Sequence, residues 1–337
     1  MYVLVKLKMK PDENIINKLK ESHIHIEYVL TMQPIICIKV DDLEILNSFD
    51  FIEYYELDEN FEVQKMNILP NVRVNKLKSN NYFGNNISVA VLDSGMDDNL
   101  VDVSKSVVFS NSVNGKDARP KGRLHGTVVG RVIKYIAPWS KIINLKVACD
   151  DGSIPKRAIL KALEWAYLNK TRIINMSLGK PSKCNDKCMV CNAVNQMCDE
   201  GFVIVAAIGN YGEKGKGITG CPGNAEKALT VGAVDSNKNL AGYSSTAPEG
   251  VKKPNILAPG YVTIKGDLPH TGTSFSAPFA TGVIAALAQT YDPLKIREAI
   301  ETTARSIGLK ANEEGNGVIN IEGLLEVLKN ERSINQS

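Results

Sequence analysis

The sequence predicts an α/β protein, a mostly parallel central sheet with helices on both faces, preceded by a small α+β domain. Three observations carry this reading. From residue 85 onward, apolar runs without period-2 alternation recur: "ISVAVLD", "IINLKVA", "RIINMSL" and "FVIVAAIGN". They alternate with segments of helical spacing such as "PKRAILKALEWAYLNK", the pattern of a parallel sheet covered on both sides. The first 65 residues differ in charge, with seven Lys/Arg against thirteen Asp/Glu; the remainder has 33 against 24. An acidic small unit can therefore dock electrostatically on a basic large one.

The 337 residues leave room for one large domain and one small one. With 44% hydrophobic and 23% charged residues, the composition is that of a soluble globular protein. The longest apolar runs are too short for a membrane span, so no membrane partner is expected. The start, "MYVLVKLKMKPDEN", reads as a strand and lacks the apolar block and cleavage site of a secretion signal, so a cytoplasmic location is expected. No basic stripe with interleaved aromatics is present, which excludes a nucleic-acid binder. A monomer is expected.

Within residues 1–65, "YVLVKLK" alternates as a strand, and "PDENIINKLKES" opens on Pro and acidic residues before Ile15, Ile16 and Leu19 at helical spacing. "IHIEYVL" and "PIICIKV" are β-rich and joined by a hairpin-like "TMQ". "DDLEILNS" gives one or two helical turns, and "FIEYYELDENFEV" is extended. This order describes a ferredoxin-like α+β unit. The stretch 64–81 is polar and irregular and reads as a linker. The last residues, "NERSINQS", read as frayed.

Parallel sheets collect ligands at the carboxyl ends of their strands. Asp93 ends "ISVAVLD" and Asn210 ends "FVIVAAIGN". His125 precedes Gly126, Thr127 and an apolar helical stripe. Ser274 opens the apolar helix of "GTSFSAPFATG". Taken singly, each has an ordinary reading: a turn aspartate, a structural histidine, a turn asparagine, a helix-capping serine. Together they supply a hydroxyl, a base, an acid to orient that base, and an amide donor, which is the set that nucleophilic acyl chemistry needs.

Four segments carry a specific resemblance: "VAVLDSG", "HGTVVG", "AAIGN" and "GTSFSAP", in that order. The sequence resembles the subtilisin-like serine proteases, the subtilases, across about residues 85–325. The resemblance implies a subtilisin-like three-layer αβα fold and a serine endopeptidase acting through an acyl-enzyme. Asp93, His125 and Ser274 would form its triad and Asn210 would be its oxyanion donor. It implies that Ser177, Leu178 and Gly179, with Asp151, Gly152 and Ser153, flank an extended peptide substrate, and that Gly220 floors the pocket for the side chain before the cut.

By the same resemblance, residues 1–65 correspond to an inhibitory, chaperone-like propeptide, an intramolecular inhibitor made with the enzyme as a zymogen. Residues 66–84 would be the linker and start of the mature enzyme, 85–328 the catalytic domain and 329–337 a frayed tail. Autoprocessing is expected between Val63 and Asn67. The acidic tail "ELDENFEV" meets Lys156 and Arg157, which follow the second wall of the cleft. Those two residues read either as a solvated helix start or as a rim that prefers acidic residues upstream of the cut. A dedicated substrate, such as a specific precursor or leader peptide, is expected over general turnover. The alternative reading is a catalytically silent binding or scaffold protein on the same fold.

Nineteen residues separate His125 from Leu145, too few for the calcium loop that many relatives insert there, and no cofactor is expected. Seven cysteines without a secretion signal read as thiols. Cys184, Cys188, Cys191 and Cys198 cluster in the sequence. Cys191 and Cys198 lie about 10.5 Å apart along a helix axis, too far for one tetrahedral ion with bonds near ~2.3 Å. A site of Cys184, Cys188 and Cys191 with an outside ligand stays open; a helix lined with apolar thiols is preferred, and no metal is expected.

Overall fold

The structure, a computed structural model, describes residues 1–58, 60–63, 73–110, 117–120, 124–181, 184, 186–263 and 270–334. Among these, no helix is long and apolar enough to cross a membrane.

The amino-terminal unit runs β1 (Tyr2–Leu7), α1 (Glu13–Glu21), β2 (His25–Val29), β3 (Ile35–Lys39), a 3-10 turn (Glu44–Ser48) and β4 (Ile52–Leu57). Asp12 starts α1 by accepting from Ile15 N at 2.9 Å. The antiparallel sheet has the order β2-β3-β1-β4, the order of a ferredoxin-like fold. Strand β1 looks amphipathic in sequence but is buried on both sides. Val3, Val5 and Leu7 pack with Ile15 and Leu19 of α1, whereas Leu4 joins Ile35 and Cys37 against the large domain.

"FIEYYELDENFEV" is not one extended strand. It divides into β4 and a separate β5 (Asn60–Val63), which leaves the unit and joins a different sheet. The expected linker is also not wholly irregular. It contains a short helix α2 (Asn75–Ser79), and Val74, Leu77 and Tyr82 are buried in the large core.

The large domain continues β6 (Ser88–Asp93), β7 (Val103–Val108), α3 (His125–Ile136), β8 (Lys141–Lys146), β9 (Ser153–Pro155), α4 (Lys156–Leu168), β10 (Ile173–Met176) and β11 (Leu178–Pro181). Then follow α5 (Met189–Asp199), β12 (Val203–Ala207), β13 (Gly220–Cys221), β14 (Leu229–Val234), β15 (Ile256–Pro259), β16 (Tyr261–Val262), β17 (His270–Thr271) and α6 (Thr273–Ala288). Helices α7 (Pro293–Thr303), α8 (Ala311–Glu314) and α9 (Ile321–Ile334) close the chain. Of the frayed tail expected over 329–337, residues 329–334 are corrected here: α9 is helical through Ile334, with Leu324, Leu325 and Leu328 buried; residues 335–337 lie outside the described residues.

Seven parallel strands form the central sheet in the order β15-β14-β12-β10-β6-β8-β7. Alternate residues of β6 feed opposite cores. Val89 and Val91 face α3 and α6; Ala90 and Leu92 face α4 and α5. This two-sided burial explains the unbroken apolar runs. Strand order reverses at β6, whose neighbours are β8 and β10, so a crevice is expected beyond the carboxyl ends of these strands. Helices α3 and α6 approach closely because Gly282 has no side chain; a Cβ there would lie 2.9 Å from Ile136 Cβ.

Candidate active site

Asp93 is the last residue of β6 and His125 the first of α3. The sheet delivers the carboxylate and the helix start delivers the ring. His125 Nδ1 lies 2.7 Å from Asp93 Oδ1, and both side chains are buried. Ser94 N donates to the same oxygen at 2.7 Å, so the carboxylate is held before it meets the imidazole. Glycine is required after His125. A Cβ on Gly126 would fall 2.3 Å from Gly95 O and 3.1 Å from Asp93 Oδ1. The "HG" pair therefore lets α3 begin against the end of β6.

Ser274 is the second residue of α6, fully buried, and its hydroxyl donates to Ser177 O at 3.2 Å. His125 Nε2 is buried and makes no hydrogen bond among the described residues. The ring of Phe275 lies 5.5 Å from that of His125. Serine and histidine thus reach one crevice without being bonded to each other. Such contacts are often long or unmade before a substrate is bound.

Asn210 follows β12 by three residues. Its Oδ1 accepts from Thr273 N at 2.9 Å and from Thr273 Oγ1 at 2.9 Å. Thr273 Oγ1 in turn accepts from Gly209 N at 3.3 Å. With its oxygen occupied by two donors, the amide turns its NH2 end away from Thr273. Nothing in the sequence around Thr273 marks it; its contact with Asn210, 63 residues away in the chain, exists only in the fold. Beneath lies a buried relay: Thr281 Oγ1 donates to Asn175 Oδ1 at 2.9 Å, and Asn175 Nδ2 to Ser177 Oγ at 2.9 Å. It fixes the strand end whose carbonyl holds Ser274.

Two walls flank this crevice, and the chain's own β5 lies between them in a four-stranded antiparallel sheet of order β13-β11-β5-β9. Leu178 pairs with Val63 and Gly179 with Glu62 on one side; Ser153 pairs with Glu62 and Ile154 with Phe61 on the other. Asp151 and Gly152 form the turn ending the second wall. Asp151 Oδ1 accepts from Ser153 N at 2.8 Å and Ser153 Oγ at 2.7 Å, and Gly152 takes φ +86°. Gly220 is buried in β13, and a Cβ there would sit 3.1 Å from Ile208 O.

The amino-terminal unit also holds two helix starts. Neither α4 nor α5 has a side-chain cap of its own. Asp58 Oδ1 accepts from Arg157 N at 3.0 Å, and Glu56 Oε1 accepts from Met189 N at 3.1 Å. Glu56 also pairs with Lys156 at 2.9 Å, and Asp58 pairs with the guanidinium of Arg157. The reading of Lys156 and Arg157 as a solvated helix start is therefore corrected: Lys156 is 6% exposed, lying under the acidic unit.

The fold is a three-layer α/β arrangement in which an extended strand of the chain itself, β5, lies between two walls, next to the Ser177 carbonyl that accepts from the Ser274 hydroxyl. Comparison with known proteins gives the family. The sequence profile described as the subtilase family matches residues 84–323. Subtilisin DY of Bacillus licheniformis is 33% identical over 273 residues, covering 75% of this chain and 96% of that protein. Subtilisin of Bacillus pumilus is 31% identical over 270 residues, covering 74% and 95%. M-protease of Shouchella clausii (strain KSM-K16) is 27% identical over 341 residues, covering 94% of this chain and 86% of that protein. The chain belongs to the subtilase family and is a serine endopeptidase, acting on peptide or protein substrates.

Proposed function

We propose that the protein is a self-inhibited serine endopeptidase precursor in which Ser274 is the nucleophile, His125 the general base, Asp93 its orienting acid and Asn210 the oxyanion donor. The observation that carries this reading is β5, a segment of the chain itself laid as a peptide strand between β11 and β9, with Val63 opposite Leu178 and so next to the Ser177 carbonyl that accepts from Ser274. Neutral His125 takes the proton of Ser274 as its oxygen attacks the carbonyl, and Asp93 stabilises the imidazolium. The Asn210 amide and the start of α6 stabilise the developing oxyanion. His125 then returns the proton to the leaving amine, and water repeats the sequence to release the acyl group.

In this reading the amino-terminal unit is inhibitor and folding template together. It caps α4 and α5 and occupies the cleft until it is cut. The expected cut between Val63 and Asn67 falls at the end of β5; residues 64–67 lie outside the described residues. The acidic Glu56 and Asp58 against Lys156 and Arg157 support a preference for acidic residues upstream of the cut, and hence a dedicated precursor or leader peptide as substrate. The seven cysteines, none in a disulfide, support a cytoplasmic location.

The test is the mass of the purified wild-type chain against Ser274→Ala. Wild type is expected to lose a fragment of about 65 residues and the variant to stay intact. An intact wild-type chain that still cleaves a peptide library would reject self-processing while leaving the endopeptidase reading in place.

A further inference from the structure

Four sulfur atoms converge beside the substrate wall. Those of Cys184, Cys188, Cys191 and Cys221 all lie within 4.8 Å of one another. Cys188 and Cys221 are 3.3 Å apart, Cys191 and Cys221 3.6 Å, and Cys184 and Cys191 3.8 Å. None is in a disulfide. We propose that these four cysteines form a structural zinc site that ties the start of α5 to the β13–β11 wall of the cleft.

The spacing is that of a tetrahedron around one ion. Zinc–sulfur bonds of ~2.3 Å at tetrahedral angles place neighbouring sulfurs about 3.8 Å apart. An all-thiolate tetrahedral set selects zinc among the common divalent ions. The chain prepares the set locally. Cys184 sits in the loop before α5, Cys188 is the N-cap residue of α5 and Cys191 lies in its first turn. Two sulfurs thus stand at the positive end of a helix, where a thiolate is favoured. With the thiols protonated, Asn224 spans two of the sulfurs, Nδ2 donating to Cys184 Sγ at 3.2 Å and Oδ1 accepting from Cys191 Sγ at 3.4 Å; the second contact is given up when Cys191 loses its proton to bind metal. An N–H aimed at a ligating sulfur is the kind of outer contact that orients a metal ligand. Cys188, Cys191 and Cys221 are buried, and binding would release the protons of the four thiols to water.

The sequence expectation of no metal counted Cys198, two turns along α5, and left the outside ligand unnamed. Tertiary structure supplies it from thirty residues beyond Cys191. Cys221 adjoins Gly220 and pairs with Lys180 of β11, and Met189, next to Cys188, is capped by Glu56. The ion would therefore brace the corner where the peptide wall, the pocket floor and the amino-terminal unit meet.

The full-length chain, grown with zinc and purified without chelator, is to be analysed for metal by elemental mass spectrometry and by native mass. One zinc per chain is expected, lost in Cys191→Ser and Cys221→Ser and retained in Cys198→Ser. Because a lost ligand can unfold the chain, wild-type protein exchanged with cobalt(II) provides a second readout. It should show thiolate charge-transfer bands and the strong visible bands of a tetrahedral site. Stripping the metal should lower the melting temperature, with recovery on adding zinc back. A folded wild-type protein without stoichiometric metal, a Cys188–Cys221 disulfide, iron in place of zinc, or full zinc retention in Cys221→Ser would each overturn the proposal.

Discussion

The hydroxyl of Ser274 donates to the carbonyl oxygen of Ser177 at 3.2 Å, while the buried Nε2 of His125 receives no hydrogen bond among the described residues. The Ser274 oxygen is thus held against the strand end that forms the first wall. If Ser274 is the nucleophile, it turns about χ1 to reach the imidazole when a scissile carbonyl enters. Ser274→Ala should then lower kcat by on the order of 10⁶-fold with KM little changed, read by peptide hydrolysis. Wild type, and not the variant, should be labelled by a fluorophosphonate. Equal labelling of the two would remove Ser274 from the chemistry.

Thr273 fixes the orientation of Asn210, so the two should share a kinetic signature. Asn210→Ala is expected to reduce kcat roughly 10²- to 10³-fold. Thr273→Val keeps shape but removes the hydroxyl that donates to Asn210 Oδ1. It should lower kcat in the same way, more mildly, with KM unchanged and activity restored by Thr273→Ser. A Thr273→Val enzyme that changes KM alone would place Thr273 in substrate binding instead.

The hold of the amino-terminal unit rests on two carboxylates that serve as helix caps and ion-pair partners. Removing one partner of a buried pair leaves the other charge uncompensated and costs about 3–5 kcal/mol. Arg157 and Asp58 are largely buried, at 14% and 1% side-chain exposure. Asp58→Ala, in the Ser274→Ala background to prevent cutting, should lower the urea midpoint by an amount near that range. Arg157→Ala alone should do likewise, and the double variant should cost less than the sum. Additive losses would mean the two side chains do not act as a pair.

Lys253 gives a pH signature of its own. Burial, with Arg297 adding to it, lowers its pKa from 10.5 to about 8. Its Nζ donates to Ala228 O at 2.8 Å, Thr230 Oγ1 at 3.0 Å and Asn255 Oδ1 at 2.8 Å. Between about pH 8 and 10.5 the unfolded chain binds a proton that the folded chain has lost, so this group makes stability rise with pH across that window. Below about pH 8 its destabilising effect is present in full. At ~1.4 kcal/mol per unit the whole change is about 3 kcal/mol. The stability difference between the Ser274→Ala chain and its Lys253→Met derivative should shift by about that much over the window. A difference independent of pH would show that Lys253 keeps its proton in the fold.

Much of this molecule was legible in order along the chain. The unbroken apolar strands demanded a sheet covered twice, and β6 shows why, with Val91 and Leu92 entering opposite cores. The four motif residues were legible because strand ends and helix starts are local signals: Asp93 closes β6, and His125 and Ser274 open α3 and α6. Other features gave no local sign. In "FIEYYELDENFEV" the poor strand formers Asp58, Glu59 and Asn60 mark the break between β4 and β5, but nothing local shows that β5 joins a different sheet. Strands β7, β14 and β15 of the central sheet are not among the apolar runs that signal it. Lys156 and Arg157 resemble any solvated helix start until Glu56 and Asp58 cover them.

The sequence by itself determined the fold class, the strand-end placement of the chemical groups and the division into an acidic and a basic part. Periodicity, turn residues and charge are properties of short stretches and survive without any knowledge of distance. Only the tertiary structure decided which way Ser274 points, that Thr273 orients Asn210, and that Cys221 rather than Cys198 completes the sulfur cluster. Each of those depends on contacts between residues thirty to a hundred positions apart, which are set by how whole layers pack and not by the spacing of neighbours.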